Sequence, residues 1–144
     1  MARVSTYLNF VRETEQAFNF YKKVFGTEIK GEVMRFSGIP PKEGAPEIPE
    51  ADKNLIMHIQ LPILGDHRLM GTDAPESMEF NVNMGNNVYI MLEPDTKEET
   101  RKLFALLAEG GAIEQDLQEM FWGDLYGSLT DKFGVKWMFN CGEN

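Results

Sequence analysis

The sequence predicts an α+β fold in which a unit of one strand, one helix and three further strands occurs twice. Two helical segments with apolar residues on one face each end at glycine, and a strand pattern follows each of them directly. Short β-branched and aromatic runs, separated by turn residues, account for most of the remaining chain. Residues 1–80 and 81–144 share this order with little residue identity, which indicates an internal structural repeat within one domain of 144 residues.

The first unit begins with a strand over Val4–Phe10, followed by a helix. Thr14 is a suitable N-cap for that helix, and Gly26 is predicted to end it. The three further strands of this unit are predicted over Thr27–Phe36, Asn54–Ile63 and His67–Thr72, followed by a polar connector.

Residues 37–53, SGIPPKEGAPEIPEADK, interrupt the first unit with four prolines and two glycines. This composition predicts a long irregular loop between two strands. Loops of this length inside a compact domain are usually functional or mobile. A functional loop and a tolerated surface insertion both remain open from the sequence.

The second unit repeats the order with a clearer helix start. A strand is predicted over Asn87–Leu92, and Thr96 with Glu99 forms a capping box, with Asp95 as a rival cap. Gly110 and Gly111 are predicted to stop the helix, and the next strand covers Ala112–Glu119.

The chain closes with a predicted hairpin over Tyr126–Cys141. Asp131 and Gly134 suit the first and last positions of a type I turn. Because side chains alternate along a strand, Met138 is expected on one face of the sheet, with Trp137 and Phe139 on the other face, against a helix.

Composition and charge exclude several classes of function. The formal net charge is −9, whereas binding to nucleic acid or to an anionic membrane surface needs a basic face. No apolar run approaches the roughly 20 residues of a membrane span, and no secretory signal precedes the first strand, so the cytoplasm is expected. The single cysteine, Cys141, excludes a disulfide framework and a Cys-rich zinc site.

Four stretches carry a resemblance to a known family. They are Tyr7–Phe10, Ala17–Gly26 (AFNFYKKVFG), Leu69–Pro75 (LMGTDAP) and Gln118–Asn140, which includes Phe121-Trp122 and Thr130–Trp137. With the repeated βαβββ order, they resemble the vicinal oxygen chelate superfamily, which contains glyoxalase I, extradiol dioxygenases and bleomycin-resistance proteins. Within it the chain looks like the PhnB-like branch, which is labelled after a demethylubiquinone methyltransferase.

The resemblance implies an open, eight-stranded mixed barrel around a cup, commonly completed by a homodimer. Metal-dependent members place His or Glu on the first, fourth, fifth and eighth strands, and their pattern falls near Thr6, Met70, Asn87 and Met138 of this sequence. None of these four residues is a histidine or a carboxylate, which divalent ions prefer. We therefore expect no metal and no cofactor.

The family's positions and the alternation along the strands give the residues expected to line the cup, and a loop at its rim adds Trp122 and Asp124. Together these residues are expected to bind a small-molecule ligand. They are Thr6, Leu8, Met70, Tyr89, Met91, Trp122, Asp124 and Met138. Tyr89 is the best hydrogen-bonding group among them, and Trp122 beside Asp124 suits a planar, cationic or hydroxylated ligand. The alternative for the loop is that Phe121 and Trp122 close the core.

The histidines, methionines and cysteine support weaker hypotheses. His58 and His67 lie on adjacent predicted strands, but a third metal ligand is not evident. Nine methionines could bind soft Cu(I), yet their spacing shows no ligand motif, so packing or pocket lining is favoured. Cys141 has no identifiable His and carboxylate partners for a catalytic thiol.

Three functions remain from the sequence. The first is a metal-free, dimeric protein that binds a small molecule. The second is an isomerase, lyase or dioxygenase that uses a metal held by other residues, or uses Asp124, Glu79 or Tyr89 as acid–base groups. The third is a dimeric interaction module whose cup is filled by its own side chains.

Overall fold

The computed structural model describes residues 1–40, 42–45 and 47–143, and it confirms the predicted fold class. The chain forms two compact units, module 1 (Met1–Asn83) and module 2 (Met84–Asn144). Module 1 contains β1 (Thr6–Phe10), α1 (Thr14–Phe25), β2 (Met34–Arg35), β3 (Ile56–Pro62) and β4 (Arg68–Asp73). Module 2 contains β5 (Ile90–Leu92), α2 (Lys97–Ala108), β6 (Ala112–Glu119), β7 (Leu125–Thr130) and β8 (Lys136–Cys141).

Each module has one four-stranded mixed sheet with the same strand order. The order is β1-β4-β3-β2 in module 1 and β5-β8-β7-β6 in module 2. The first strand of each module runs parallel to the last, and the other neighbours are antiparallel. The eight expected strands therefore lie in two sheets of four, each covered on one face by its own helix.

The two long hairpins also share their register. Pro62 pairs with Arg68 next to the turn of module 1, and Thr130 pairs with Lys136 in module 2. In both modules the next pair along is buried, Leu61 with Leu69 and Leu129 with Trp137. The internal repeat therefore includes more than the order of elements. Corresponding residues of the two hairpins also face the helix of their module.

The turn of the last hairpin is held by a single buried carboxylate. Asp131 Oδ1 accepts hydrogen bonds from the amides of Phe133 and Val135, at 2.8 and 3.1 Å. Asp131 Oδ2 accepts one from the Trp137 indole nitrogen at 2.8 Å. The amide of Gly134 donates to the Asp131 carbonyl, as expected for the predicted turn. Trp137 is completely buried, so this carboxylate joins the turn to the core.

The N-terminus of α1 differs from the prediction. Thr14 is the first helical residue rather than the cap, and its buried hydroxyl makes no hydrogen bond within the described residues. Its amide instead donates to Asp73 Oδ1 at 3.0 Å, and Asp73 Oδ2 accepts the Ile56 amide at 2.8 Å. A carboxylate from β4 therefore accepts the hydrogen bond that an N-cap side chain would accept, and the sequence around Thr14 does not indicate this partner.

The N-terminus of α2 agrees with the prediction. Thr96 is the N-cap, and its hydroxyl accepts the Glu99 amide at 3.0 Å, which decides against Asp95. The helix ends at Ala108, before the two glycines that were predicted to stop it.

The strand predicted over Thr27–Phe36 is reduced to β2, a pair of residues. The segment before β2 is held to β3 by separate hydrogen bonds, from the Thr27 hydroxyl to the Pro62 carbonyl and from the Lys30 amide to the Gln60 carbonyl. The β-favouring composition of this segment was therefore overruled by its tertiary surroundings.

The loop over residues 37–53 is anchored at its end, whereas Pro41 and Pro46 lie outside the described residues. Asp52 is 1% exposed and accepts hydrogen bonds from Arg12 Nη1, at 2.6 Å, and from the Ser77 hydroxyl. These two hydrogen bonds, led by that of Ser77, hold the pKa of Asp52 below its usual range. The loop therefore returns to the segment that precedes α1.

The two α-helices are also too short and too polar to span a membrane, and the described residues contain no other candidate span.

Substituting Gly71→Ala should destabilise the protein by about 1–3 kcal/mol, because overpacked cores lose stability of this order. A Cβ on Gly71 would lie 2.5 Å from a ring carbon of Phe18, which is completely buried. Gly38→Ala is the matched control, since a Cβ there meets nothing within 4 Å. Urea unfolding of both variants measures the difference, and equal midpoints would contradict the packing described for α1.

Substituting Asp131→Ala should destabilise the protein by about 3 kcal/mol, because it leaves the buried Trp137 indole and two amides without their charged acceptor. Asp116→Ala, an exposed position on β6, should change the free energy of unfolding by less than about 0.5 kcal/mol. Guanidinium unfolding followed by tryptophan fluorescence gives both values. A loss no larger than that of the control would show that Asp131 is dispensable.

Candidate functional site

Each sheet has one face covered by its own helix and one face that this helix does not cover. In β8, Trp137, Phe139 and Cys141 are buried on the covered side, where the Phe139 ring packs edge-on against Phe104 of α2 at 5.4 Å. The expected positions of Trp137 and Phe139 are therefore confirmed. We call the opposite side the helix-free face. It carries Tyr89, Met91, Glu114, Lys136, Met138 and Asn140 in module 2, and Tyr7, Asn9, His58, Gln60, Met70 and Thr72 in module 1.

Two thioethers form the floor of the helix-free face in module 2. Met91 of β5 and Met138 of β8 are direct partners in the parallel ladder, so their side chains lie next to each other on one side. Met91 is 45% exposed. Flexible thioethers at an accessible position suit an apolar ligand of irregular shape.

A hydrogen-bonded polar network borders this floor. The Tyr89 hydroxyl donates to Glu114 Oε1 at 3.0 Å. Lys136 Nζ donates to Glu114 Oε2 at 2.7 Å and to the Thr130 hydroxyl at 2.8 Å. The same nitrogen lies 5.5 Å from the centre of the Tyr89 ring, within the range of a cation–π interaction. The network thus joins residues of β6, β7 and β8 to the segment before β5.

The network fixes the charges of its three titratable groups. Lys136 first, and then the Tyr89 hydroxyl, hold the pKa of Glu114 below its ordinary value. The Glu114 carboxylate raises the pKa of Lys136 and also that of Tyr89. At neutral pH the face therefore presents a neutral phenol, a carboxylate and an ammonium group.

The loop between β6 and β7 carries two exposed aromatic rings. Phe121 is 97% exposed and Trp122 is 50% exposed, and their rings meet edge-on at 4.9 Å. The alternative that both rings close the core is therefore wrong. Asp124 Oδ2 accepts a hydrogen bond from Asn140 Nδ2 at 2.9 Å, which attaches this end of the loop to the helix-free face.

The sequence prediction placed two residues on the wrong face of module 1. In the β1–β4 ladder Met70 is the partner of Tyr7, whereas Thr6 pairs with Leu69 and Leu8 pairs with Gly71. Thr6 and Leu8 therefore share the side that α1 covers, and Met70 lies on the helix-free face. A shift of one residue in a strand exchanges its two faces, so the family's pattern placed near Thr6 did not fix the face of β1.

The two histidines lie on opposite faces of the same sheet. His58 Nδ1 is 3.3 Å from the Tyr7 hydroxyl, and the two rings are tilted against each other at 5.9 Å. His67 Nε2 is 2.8 Å from the Thr6 hydroxyl. Since Thr6 and Tyr7 are consecutive on β1, their side chains point in opposite directions. The hypothesis of a metal held jointly by His58 and His67 is therefore wrong.

The residues at the family's metal positions do not fit a divalent ion. In module 1, Thr6 and Met70 lie on opposite faces. In module 2, Asn87 is exposed and precedes β5, and Met138 offers a soft thioether. Within the described residues, no three His, Cys, Asp or Glu side chains come together as a possible metal site. Glu79, another residue considered for catalysis, is exposed at a left-handed φ of 65° after β4.

Sequence reasoning missed Glu114, Lys136 and Tyr7, and it considered His58 only as a weak candidate for a metal ligand. Lys136 could have been found, because it is two residues before Met138 and therefore on the same face. Glu114 could not, since irregular register between β6 and β7 decides which β6 residues face Lys136. Tyr7 and His58 depend on the pairing of β1 with β4 and of β4 with β3.

Comparison with known proteins gives consistent matches. The model of the glyoxalase/bleomycin resistance protein/dioxygenase superfamily matches residues 3–139. Protein YjdN of Escherichia coli (strain K12) is 30% identical over 141 residues, which cover 95% of this chain and 93% of YjdN. The crystal structure of protein PA1353 from Pseudomonas aeruginosa is 30% identical over 100% of both chains, with a TM-score of 0.83. The PhnB protein from Bacillus cereus, named a putative 3-demethylubiquinone-9 3-methyltransferase, is 26% identical over 97% of this chain and 99% of its own, with a TM-score of 0.73.

Substituting Glu114→Gln should remove part of the acid sensitivity of folding. Because the pKa of Glu114 is lowered in the folded state, its stabilisation is fully present above its unfolded pKa of about 4.3 and is lost as the pH falls through the lower folded value. The native protein should exceed the variant in stability by up to about 1 kcal/mol at pH 7, and the difference should shrink steadily as the pH falls below about 4.3.

Urea unfolding between pH 3 and pH 7 measures that difference. Glu32→Gln, at an exposed position in module 1, is the control for the loss of one surface carboxylate. A difference for Glu114→Gln that does not change with pH would disprove the role assigned to Lys136.

Proposed function

The chain belongs to the glyoxalase/bleomycin resistance protein/dioxygenase superfamily, and from this premise we propose that it binds a small organic molecule on the helix-free face of module 2, without a divalent metal ion. The observation that carries the proposal is the pairing of Met91 and Met138 beside the network of Tyr89, Glu114 and Lys136. Sites for small molecules usually combine an apolar surface with a few polar groups that fix orientation.

The polar groups of this face limit the chemistry of the ligand. Lys136 has three N–H donors, of which Glu114 and Thr130 take two. The third can donate to a carbonyl or carboxylate oxygen of the ligand. The Tyr89 oxygen can accept a hydrogen bond from a ligand hydroxyl or amide while its own O–H group continues to donate to Glu114. A flat apolar ligand with one carbonyl or carboxylate group fits this arrangement.

Trp122 and Asp124 extend the proposed site along the sheet. Asp124 is joined to the face through Asn140, and Trp122 offers a half-exposed indole ring two residues before Asp124. A planar part of the ligand can stack on such a ring, and a hydroxyl or cationic group can bind the carboxylate. The proposed site is built from residues of module 2 alone, whereas Thr6, Leu8 and Met70 belong to module 1.

A second candidate function is acid–base catalysis by Tyr89, as in an isomerase or lyase. The observation that favours it is the hydrogen bond from the Tyr89 phenol to Glu114, with Lys136 beside the ring. A phenol that shares its proton with a carboxylate can transfer it to a bound substrate. Under this alternative Tyr89→Phe abolishes turnover while ligand affinity changes less than tenfold.

We also propose a cytoplasmic homodimer that acts on small molecules rather than on nucleic acid or membranes. The net charge of −9 disfavours phosphate-rich partners. Sedimentation equilibrium tests the dimer, and a single species of monomer mass at micromolar concentration would exclude it.

The binding proposal can be tested with 2-naphthoate, which has a flat apolar body and one carboxylate. Titration followed by 1H–15N correlation spectra should shift the amides of Met91, Lys136 and Met138. Met138→Ala should weaken binding about tenfold, which corresponds to ~1.4 kcal/mol, whereas Met84→Ala, at another exposed methionine of module 2, should not. Unchanged affinity in Met138→Ala, or shifts confined to other surfaces, would reject the proposed site.

The absence of a divalent ion from the proposed mechanism is tested separately. The protein is dialysed against Ni²⁺, Zn²⁺, Mn²⁺ or Fe²⁺, washed, and analysed for metal. We expect retention well below one equivalent for each ion, since the donor set does not suit them. Stoichiometric retention of one of these ions would overturn this part of the proposal.

A further inference from the structure

Module 1 carries three soft or borderline metal ligands on one face of its sheet. Met34 of β2 is the ladder partner of His58 of β3, next to a register irregularity at Arg35. Arg35 donates to Glu15 of α1 on the covered side, so the preceding residue, Met34, lies on the helix-free side with His58. Met70 of β4 pairs with Gln60, which places it diagonally across from His58 on that side. Direct cross-strand neighbours have Cβ atoms about 5 Å apart and diagonal ones about 7–8 Å, within the combined reach of two methionines and an imidazole.

Tyr7 contacts the imidazole of His58 through its hydroxyl and its ring. The Tyr7 hydroxyl is 3.3 Å from Nδ1 of His58 and the ring centres are 5.9 Å apart. In the tautomer in which Nδ1–H donates to the phenol oxygen, Nε2 keeps its lone pair. Histidines that bind metals commonly donate their other ring N–H to an oxygen acceptor in this way, which fixes both tautomer and ring direction.

The neighbouring residues favour a soft, singly charged ion over a hard divalent one. The polar strand residues that share this face, which include Tyr7, Gln60, Arg68 and Thr72, are neutral or positive. Arg68 Nη1 donates to Gln60 Oε1 beside Met70. No carboxylate is among the residues that the structure places on this helix-free face. Thioethers bind Cu(I) and its redox-inert analogue Ag(I), and they are poor ligands for Mg²⁺, Ca²⁺ or Mn²⁺.

We propose that the helix-free face of module 1 is a binding site for a soft monovalent cation of the Cu(I) type, held by the sulfurs of Met34 and Met70 and by Nε2 of His58. Met34 is 42% exposed, so an ion can reach the site from the solvent. Methionine side chains have enough torsional freedom to close around it. The site uses none of the residues proposed to bind the organic ligand, so either proposal can fail alone.

The proposal is tested by titrating the full chain with silver nitrate in chloride-free buffer. Cys141 is replaced by serine, because its thiol is the strongest competing ligand, although it is buried. The methyl resonances of Met34 and Met70 and the Nε2 resonance of His58 should shift together and saturate at one equivalent. Met34→Leu and Met70→Leu should each weaken Ag(I) binding at least tenfold.

Met91→Leu is the matched control, since it removes an exposed thioether of module 2 that has a methionine neighbour but no histidine partner in its ladder. It should leave Ag(I) affinity unchanged. Should Cys141→Ser fail to fold, the same methyl spectra of the unaltered chain report which methionines respond. Equal shifts at Met91 and Met138, an unaffected His58, or loss of all binding on removal of Cys141 would each overturn the proposal.

Discussion

The carboxylate of Asp131 joins the turn of the last hairpin to its core, because the buried Trp137 indole donates a hydrogen bond to it. The same carboxylate caps the turn through two amides, so turn and core must form together. Once the Trp137 side chain is buried on the covered side of the sheet, alternation along β8 determines the side on which each neighbouring side chain lies. Lys136 and Met138 must turn to the opposite face, and the parallel pairing then brings Met91 beside Met138. The polar network and the apolar floor of module 2 both follow from this placement.

Prediction from the sequence succeeded where a local pattern and the tertiary structure agree. The faces of Trp137 and Phe139 could be predicted because only one orientation of the strand buries both large aromatic side chains in the core. The capping role of Thr96 could be predicted because its hydroxyl accepts the free amide of Glu99, only three residues further along the chain. Both elements are specified by residues a few positions apart.

Prediction failed where residues far apart in the sequence determine the local structure. Thr14 was expected to cap α1, but the carboxylate of Asp73, from the far end of the module, binds its amide. The faces of β1 were reversed because a five-residue strand with mixed polarity does not reveal its own register. Only the pairing of Tyr7 with Met70 settles it. The positions of Tyr7, His58 and Glu114, of which only His58 was considered from the sequence, all depend on such long-range pairing.

The two modules show how one scaffold separates fold from chemistry. Their hairpins have the same register, so Met70 and Met138 occupy matching positions beside the parallel pairs. What surrounds each methionine differs: Tyr7 is the partner of Met70, whereas Met91 is the partner of Met138. Burial against the helix constrains only one side of each strand. The other side can change without loss of the core, and membership of the superfamily therefore defines the positions of a site but not its ligand.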